Sequence, residues 1–142
     1  EMARLKNLSK KLNIEKNVNF LGPKDFDSIK NLSKRASFYL QTSKLEGMAM
    51  SVVEAMQLGL VPIVTPVGEI KNYCRDEVNA ILIDGEDSAV KSILNLLDNK
   101  NAFEKIRQNT ISYWNDSEIY SESIERASLS ILNIKNAQNI NT

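Results

Sequence analysis

The stretch that decides the fold is residues 42–68, TSKLEGMAMSVVEAMQLGLVPIVTPVG, where a loop, a helix and a strand follow one another without a spacer. Within residues 48–58 the only polar side chains are those of Ser51, Glu54 and Gln57. Their spacing of three residues predicts a helix that is apolar nearly all round, with one narrow polar stripe. We therefore expect the helix to be buried, and Glu54 with it.

A glycine and a β-branched run follow this predicted helix. Gly59 suits the position just past a helix end, where a left-handed backbone conformation is tolerated. Residues 61–65 predict a buried strand, with Pro62 near its start. The stretch therefore predicts one αβ unit with a candidate site at the loop that precedes the helix.

Two glutamates mark the candidate site. A carboxylate in an apolar helix costs free energy unless it is hydrogen-bonded, so Glu54 requires a partner from a loop or a ligand. Glu46 lies in the loop before the helix, and Gly47 lets backbone approach a ligand closely. Free N–H groups at the helix start predict an anion site suited to phosphate, and they belong to Met48, Ala49 and Met50. Glu54 can accept two hydrogen bonds from a diol such as ribose.

A structural interpretation of the two glutamates stays open at this point. In it, Glu54 pairs with a lysine in a doubly wound fold, and Glu46 is a solvated loop residue. Two glutamates with seven residues between them favour this interpretation when they are taken as a bare motif. The residues around the two glutamates favour a functional role for the pair.

Those surrounding residues carry a family resemblance. Ser43 and the pair Glu46-Gly47 are followed by Glu54-Ala-Met, then by Gly59, then by Pro62-Ile-Val. In this arrangement the chain resembles glycosyltransferase family 4, from about Val18 to Leu132. The resemblance implies the GT-B fold and a retaining sugar-nucleotide transferase, whose carboxyl-terminal, Rossmann-like domain binds the donor without a metal or other cofactor.

The resemblance also implies a role for each candidate residue. Glu54 would hold the ribose hydroxyls of a nucleoside-diphosphate sugar, and Glu46, the candidate catalytic residue, would hold the donor sugar. The backbone of Gly47, Met48, Ala49 and Met50 would bind the sugar or the diphosphate. Because Pro23 has no N–H to donate, a backbone amide that reads the base would be that of Lys24.

Three positions depart from the family pattern. The family usually has a second glycine where this chain has Glu69, an acidic residue where it has Asn72, and a glycine where it has Ala80. These changes put the local donor contacts, and so the identity of the sugar, in doubt. Glu69 suits a helix cap as well as it suits a ligand contact.

The resemblance places this chain within a longer protein. Two strands, the basic loop that holds the diphosphate and the amino-terminal acceptor domain would all lie upstream. The first residues open directly in helical periodicity without an apolar signal core, which agrees with that expectation. We therefore expect this part alone to be inactive in turnover.

Composition excludes several classes of function. Of 142 residues, 42% are hydrophobic and 25% charged, which predicts one globular domain over residues 1–135 and a polar, disordered tail at residues 136–142. Eighteen basic residues balance eighteen acidic ones, so no global field favours nucleic acid. No apolar run approaches membrane-spanning length.

Two residue counts extend these exclusions. The chain has no histidine, which removes histidine-based triads and imidazole metal sites, so we expect no metal. Cys74 is the only cysteine and suits a reducing cytoplasm. We expect a cytoplasmic location, with peripheral membrane attachment of the full-length protein left open.

The remaining elements complete an α/β alternation. A surface helix should run to about Lys11, and Asp25 should cap a second helix, with Lys34 and Arg35 in its last turn. Predicted strands cover residues 18–22, 36–42, 61–65 and 80–84, and 36–42 reads as a central strand. The alternation predicts a doubly wound parallel sheet.

Three helices are expected after the last strand. The first carries a core face of Val90, Ile93, Leu94 and Leu97. The second covers about residues 102–110, and a long third helix opens at Ser117. Trp114 is expected to anchor the packing between elements.

Two other functions compete with a donor-binding part of a transferase. One is a non-catalytic partner or regulatory domain that retains the fold, which the altered turn after Pro66 favours. The other is a sugar-nucleotide epimerase of the same architecture. We rank the epimerase last because that chemistry relies on acid and base side chains that a histidine-free segment supplies poorly.

Overall fold

The computed structural model describes residues 1–115 and divides the chain into two compact units, Glu1–Leu32 and Ser33–Thr142. The second unit is described as far as Asn115. The long helix expected from Ser117 and the disordered tail expected at residues 136–142 lie outside the described residues. The expectation of one domain over residues 1–135 stays a prediction.

The amino-terminal unit is helical. Its first helix, α1 (Met2–Lys11), ends where the apolar periodicity predicts. The second helix, α2 (Phe26–Ser33), begins after Asp25, whose Oδ1 accepts a hydrogen bond from the Ser28 backbone N–H at 2.8 Å. That contact confirms the predicted cap, and hydrogen bonding to Ser28 lowers the pKa of the Asp25 carboxyl. The helix ends at Ser33, so Lys34 and Arg35 follow it and do not lie in its last turn as predicted.

The strand predicted at residues 18–22 is wrong. This segment pairs with no strand in the described part of the chain. Phe20 is half-buried, and the Nζ of Lys6 on α1 lies 6.0 Å from the centroid of its ring. Alternating polar and apolar residues therefore identified a segment with one covered face, but a strand also needs a neighbour to receive its backbone hydrogen bonds.

The carboxyl-terminal unit is built on a parallel sheet. Its three strands are β1 (Phe38–Gln41), β2 (Val61–Val64) and β3 (Ile81–Leu82), in the order β1-β2-β3. Phe38 pairs with Val61, and Ile63 pairs with Ile81. The structure thus confirms a parallel sheet and three of the four predicted strands, although β3 is shorter than residues 80–84.

The central strand of this sheet is β2, not β1 as predicted. All four residues of β2 are buried, whereas β1 is only partly covered and its Leu40 is 65% exposed. The apolar composition of residues 36–42 indicated burial on both faces. That composition could not show that β1 lies at one end of the order β1-β2-β3.

Four helices accompany the sheet, and they are α3 (Met50–Gln57), α4 (Ile70–Tyr73), α5 (Glu86–Asp98) and α6 (Lys100–Asn115). Trp114, near the end of α6, contacts residues of both α3 and α4. Its Nε1 donates to the Sδ of Met56 at 3.3 Å, and its ring centroid lies 5.5 Å from that of Tyr73. The predicted packing role of Trp114 is confirmed.

Of the four residues predicted to form the core face of helix α5, only Ile93 packs against the core. Ala89 and Leu96 are buried and Ile93 is partly buried, so the covered face follows the spacing i, i+4, i+7. The residues that are more than half exposed are Val90, Leu94 and Leu97. Both sets have helical spacing, so periodicity alone could not decide which of them faces the sheet.

Candidate functional site

The loop between β1 and α3, residues 42–49, is held in place by side chains from neighbouring elements. Thr65, just after β2, donates its hydroxyl to the backbone carbonyl of Ser43 at 2.5 Å. Tyr73 on α4 donates its hydroxyl to the carbonyl of Met48 at 2.8 Å. Burial raises the pKa of the Tyr73 hydroxyl, so it stays protonated and able to donate at ordinary pH.

The turn at Gly68 and Glu69 fastens the middle of the same loop. The backbone N–H of Glu69 donates to the carbonyl of Gly47 at 3.1 Å. Gly68 has a φ of +56°, and a Cβ placed there would lie 2.1 Å from the carbonyl oxygen of Glu46. The backbone of Gly68 therefore lies close to the peptide that carries Glu46.

Glu46 is half-buried and hydrogen-bonded to the end of the sheet. Its Oε1 accepts from the Nε2 of Gln41, the last residue of β1, at 2.7 Å. The Oε1 of Gln41 in turn accepts from the hydroxyl of Tyr39 at 2.8 Å and from that of Ser51 at 2.9 Å. The strand, the loop and helix α3 therefore meet in one polar network at the carboxyl edge of the sheet.

Three members of that network were not identified from the sequence: Tyr39, Gln41 and Ser51. The signal for Gln41 is a polar amide at the end of an otherwise apolar strand. The carboxyl ends of parallel strands are where α/β folds bind ligands, so such a residue is a candidate for the site.

Glu54 is exposed, which corrects the prediction that it is buried with its helix. The whole polar stripe of Ser51, Glu54 and Gln57 is exposed, while Val52, Val53, Ala55 and Met56 are buried. The narrow stripe therefore faces solvent, where the carboxylate has no desolvation cost. No side chain in residues 1–115 hydrogen-bonds to that of Glu54.

Glu54 and the network around Gln41 lie along the same face of α3. Ser51 and Glu54 are three residues apart, so their side chains share one helix face, about 4.5 Å apart along the axis. Since Ser51 contacts Gln41, and Gln41 contacts Glu46, Glu54 lies one turn beyond the polar network. The structure thus brings Glu46 and the stripe of Glu54 together.

Helix α3 begins at Met50, later than the sequence predicts, and this places the candidate anion-binding amides differently. Met48 and Ala49 lie in the loop, and Ala49 takes the left-handed conformation with φ 53° and ψ 61°. Within the described residues, the backbone N–H groups of Met48, Ala49 and Met50 donate to no protein acceptor. A loop turn followed by one helix terminus therefore presents these three donors.

Two of the positions that depart from the family pattern contact each other. Glu69 occupies the N-cap position of α4, and its Oε2 accepts from the Nδ2 of Asn72 at 2.6 Å. Its side chain makes no capping hydrogen bond to the backbone of α4. Glu69 therefore lies at the position of a helix cap, but its carboxylate accepts a hydrogen bond from Asn72 instead of from the helix backbone.

The base-reading candidate, Lys24, lies in the amino-terminal unit, just before Asp25 and α2, and is exposed. Lys44, in the loop of the site, is also exposed. No group of three or more His, Cys, Asp or Glu side chains in residues 1–115 could hold a metal ion. The helices in the same residues include none long and apolar enough to cross a membrane.

A family model and a curated protein that match this chain are both described as glycosyltransferases. The model described as "Glycosyl transferases group 1" matches residues 1–113. A D-inositol 3-phosphate glycosyltransferase from Salinispora arenicola is 30% identical over 83 residues, which are 58% of this chain and 18% of that protein. The match thus spans less than a fifth of the curated relative.

Solved structures resemble this chain in fold. The carboxyl-terminal domain of the group 1 glycosyltransferase LpcC from Francisella tularensis matches with TM-score 0.64 and 20% identity over 79% of this chain and 59% of that one. Sucrose-phosphate synthase from Thermosynechococcus elongatus matches with TM-score 0.78 and 17% identity over 94% and 34%. Anabaena HepE in complex with UDP matches with TM-score 0.76 and 21% identity over 90% and 36%. The parallel α/β fold is therefore that of glycosyltransferase domains.

Proposed function

The chain belongs to the group 1 glycosyltransferase family, and we propose that it is the donor-binding part of an enzyme that transfers a sugar from a nucleoside-diphosphate sugar to an acceptor. The motif around Glu46 and Glu54 supports assignment to family 4, with retention of configuration and without a metal ion. The low coverage of the relatives supports an acceptor-binding domain elsewhere in a longer protein. In that arrangement this part binds the donor but does not turn it over alone.

The observation that carries the proposal is the polar line at the carboxyl edge of the sheet. It runs from Glu46 through Gln41 to Ser51, and Glu54 follows one turn along α3. Carboxylates that stand at this edge can accept hydrogen bonds from several hydroxyl groups of one ligand. A nucleotide sugar carries two such sets of hydroxyl groups, one on its sugar and one on its ribose.

Each residue has a separate task in this proposal. Glu54 is exposed and has no protein partner in residues 1–115, so its carboxylate is open to the ribose diol. Glu46 accepts a hydrogen bond from Gln41 through one carboxylate oxygen and takes the donor sugar. The backbone N–H groups of Met48, Ala49 and Met50 donate to no acceptor in residues 1–115, and with the close approach at Gly47 they serve the sugar or the diphosphate.

The chemistry proposed for the site is electrostatic. Transfer releases a nucleoside diphosphate, and donors aimed at the departing oxygens lower the barrier without a metal or a protein nucleophile. In residues 1–115, the backbone N–H groups at the start of α3 are the candidates for that task. The remaining positive charge would come from the upstream part of the protein, as would the acceptor.

A nucleotide screen on the chain itself tests the proposal. The ¹⁵N-labelled protein is titrated with UDP, GDP and ADP, and then with UDP-glucose, GDP-mannose and ADP-glucose, while amide shifts are followed by NMR. UDP is the first probe because the structurally similar HepE was crystallised with it. We expect one nucleotide to perturb residues 46–54, and its sugar form to perturb Glu46 and Gly47 further. Binding by none of them, or shifts confined to other residues, would overturn the proposal.

A second function is favoured by the turn after Pro66. The Nδ2 of Asn72 donates to the Oε2 of Glu69 at 2.6 Å, so each side chain already uses part of its hydrogen-bonding capacity on the other. A regulatory domain that keeps the fold and has lost donor contacts would show this pairing. In that case nucleotide binding would survive in the screen, and the attached sugar would add no affinity.

A further inference from the structure

We propose that Gln41 is a positioning residue that orients the carboxylate of Glu46 towards the donor sugar. The inference rests on the proposed function, because it assigns a task within the same site. Gln41 lies at the end of β1, five residues before Glu46. It is not one of the residues that carry the family resemblance.

Both the nitrogen and the oxygen of the Gln41 side-chain amide form hydrogen bonds. Its Nε2 donates to Glu46 at 2.7 Å, and its Oε1 accepts from the hydroxyls of Tyr39 and Ser51. Rotating the amide by half a turn would bring its oxygen against the Glu46 carboxylate, where two acceptors repel. The Glu46 carboxylate, which can only accept, therefore selects the orientation in which the amide nitrogen faces it, and the hydroxyls of Tyr39 and Ser51 donate to the amide oxygen.

The backbones of both residues are fixed to the sheet. The Gln41 carbonyl accepts from the Thr65 N–H at 3.2 Å, and Gln41 is paired in register with Val64. The Glu46 peptide is held by the close approach of Gly68. Because both backbones are fixed, the 2.7 Å contact between the side chains sets the direction of the Glu46 carboxylate and not merely the position of a mobile loop.

An amide suits this task because it carries no charge. It donates to one carboxylate oxygen of Glu46 and leaves the other free to accept from a sugar hydroxyl. A lysine would place a full positive charge beside the carboxylate, whereas an apolar residue would leave its direction undefined. A hydrogen bond to a carboxylate is also stronger than one between neutral groups, so the orientation is held firmly.

The test uses Gln41→Glu, which separates the two ends of the amide. This variant keeps an acceptor for Tyr39 and Ser51 but replaces the donor to Glu46 with a second carboxylate. We measure, by NMR titration, the ratio of affinities for each matched pair: UDP-glucose over UDP, GDP-mannose over GDP, and ADP-glucose over ADP. At pH 8 the gain from the sugar should fall about tenfold, while affinity for the bare nucleotide stays within about twofold of the parent.

A pH series distinguishes positioning from a structural role. Two carboxyl groups at hydrogen-bond distance share one proton when the pH is lowered, which recreates a donor towards Glu46. The sugar-dependent gain of Gln41→Glu should therefore return as the pH falls from about 8 to about 5. Expressing it relative to the parent at each pH removes the titration of the nucleotide phosphate. Gln108→Glu, an exposed residue on α6, makes the same charge change outside the site and should match the parent throughout.

The contact itself can be tested without a ligand. In the free chain, the side-chain amide resonances of Gln41 should shift in Glu46→Ala, whereas those of Gln108 should not. Unchanged Gln41 resonances would overturn the inference whatever the chain binds.

The binding outcomes separate this inference from the proposed function. A parent chain that binds none of the nucleotides removes the proposed function, and the inference with it. A parent that gains affinity from the sugar, beside a Gln41→Glu variant that gains as much at pH 8, removes the inference alone.

Discussion

At the scale of single residues, the two glutamates of the site differ in their surroundings. Glu46 is half-buried and hydrogen-bonded to Gln41, whereas Glu54 is exposed on a helix and has no partner in residues 1–115. A ligand that contacts Glu54 meets a carboxylate that no group in residues 1–115 competes for. Substitutions at the two residues should therefore have different effects on ligand affinity.

Glu54→Gln should weaken binding of the bare nucleotide. The change keeps the shape of the side chain but removes the charge, and a hydrogen bond to a charged group contributes about 1.5 to 3 kcal/mol. We expect nucleoside-diphosphate affinity to fall roughly tenfold or more, as measured by NMR titration of this chain and calorimetry of the proposed longer protein. Unchanged affinity would make Glu54 an ordinary solvated carboxylate.

Glu46→Gln serves as the matched comparison for that measurement. Since the proposed partner of Glu46 is the sugar, bare nucleotide should bind nearly as it does to the parent. The sugar-bearing donor should lose its additional affinity, and turnover of the longer protein should fall. Equal losses with and without the sugar would contradict the separate tasks of the two glutamates.

Cys74 should make the chain less stable in alkali. The thiol is buried, and burial raises its pKa from 9.0 to about 12. Above pH 9 the unfolded chain loses the proton first, so stability that is complete below pH 9 declines as the pH rises towards 12, by up to about 1.4 kcal/mol per pH unit. Urea unfolding at several pH values measures this slope, and Cys74→Ala should reduce it. An identical slope in that variant would contradict the assignment, and Tyr73→Phe separates the contribution of the neighbouring tyrosine.

At the scale of elements, the site depends on how one loop is joined to the turn after β2. The loop of residues 42–49 contains no regular structure, yet Thr65, Gly68, Glu69 and Tyr73 each contact its backbone. Ala49 ends the loop in the left-handed conformation, and α3 begins one residue later. The position of Glu46 is therefore decided by residues that follow it by 19 to 27 positions in the chain.

Gly68→Ala should be strongly destabilising. The new Cβ would lie 2.1 Å from the Glu46 carbonyl oxygen, which is backbone and cannot rotate away, and the φ of +56° disfavours alanine as well. We expect the free energy of unfolding to fall by about 3 kcal/mol or more in urea titrations.

Gly22→Ala is the control for the left-handed backbone alone. Gly22 has a φ of +65°, but a Cβ there would meet nothing within 4 Å. Its cost should be about 1 kcal/mol, the usual penalty for a non-glycine residue in this conformation. Equal costs in the two variants would show that the Gly68 contact with the Glu46 peptide can relax.

At the scale of the whole molecule, the sheet of the carboxyl-terminal unit ends in a partly covered strand. β1 is an edge strand of the three-stranded sheet, and its Leu40 is 65% exposed. An edge strand presents unpaired N–H and C=O groups that can pair with another chain. We therefore expect self-association and modest stability.

Sedimentation over a range of protein concentrations tests this expectation. The parent should associate as concentration rises, and Leu40→Lys should associate less because a charge on an edge strand disfavours pairing. Because Leu40 is 65% exposed, the substitution itself should cost little folding free energy. A parent chain that is monomeric at every concentration and highly stable to heat would contradict the prediction.

The local elements follow from the sequence alone. Periodicity and turn residues predict α1, the Asp25 cap, the α3 region and strands β1 and β2, because spacing and backbone preference act over a few neighbouring residues. The same local signals identify the loop with Glu46 and the polar stripe with Glu54. They also predict a parallel α/β fold, which the structure and its relatives confirm.

Only the tertiary structure decided which faces are covered and which residues meet. The polar stripe of α3 is exposed, α5 turns Ala89 and Leu96 inward, and residues 18–22 find no strand to pair with in residues 1–115. The amide of Gln41 meets Glu46, Tyr39 and Ser51 because a strand, a loop and a helix end at one edge of the sheet. Helical and strand periods describe one segment at a time, whereas burial and hydrogen-bond partners depend on residues far apart in the chain, so no local pattern contains them.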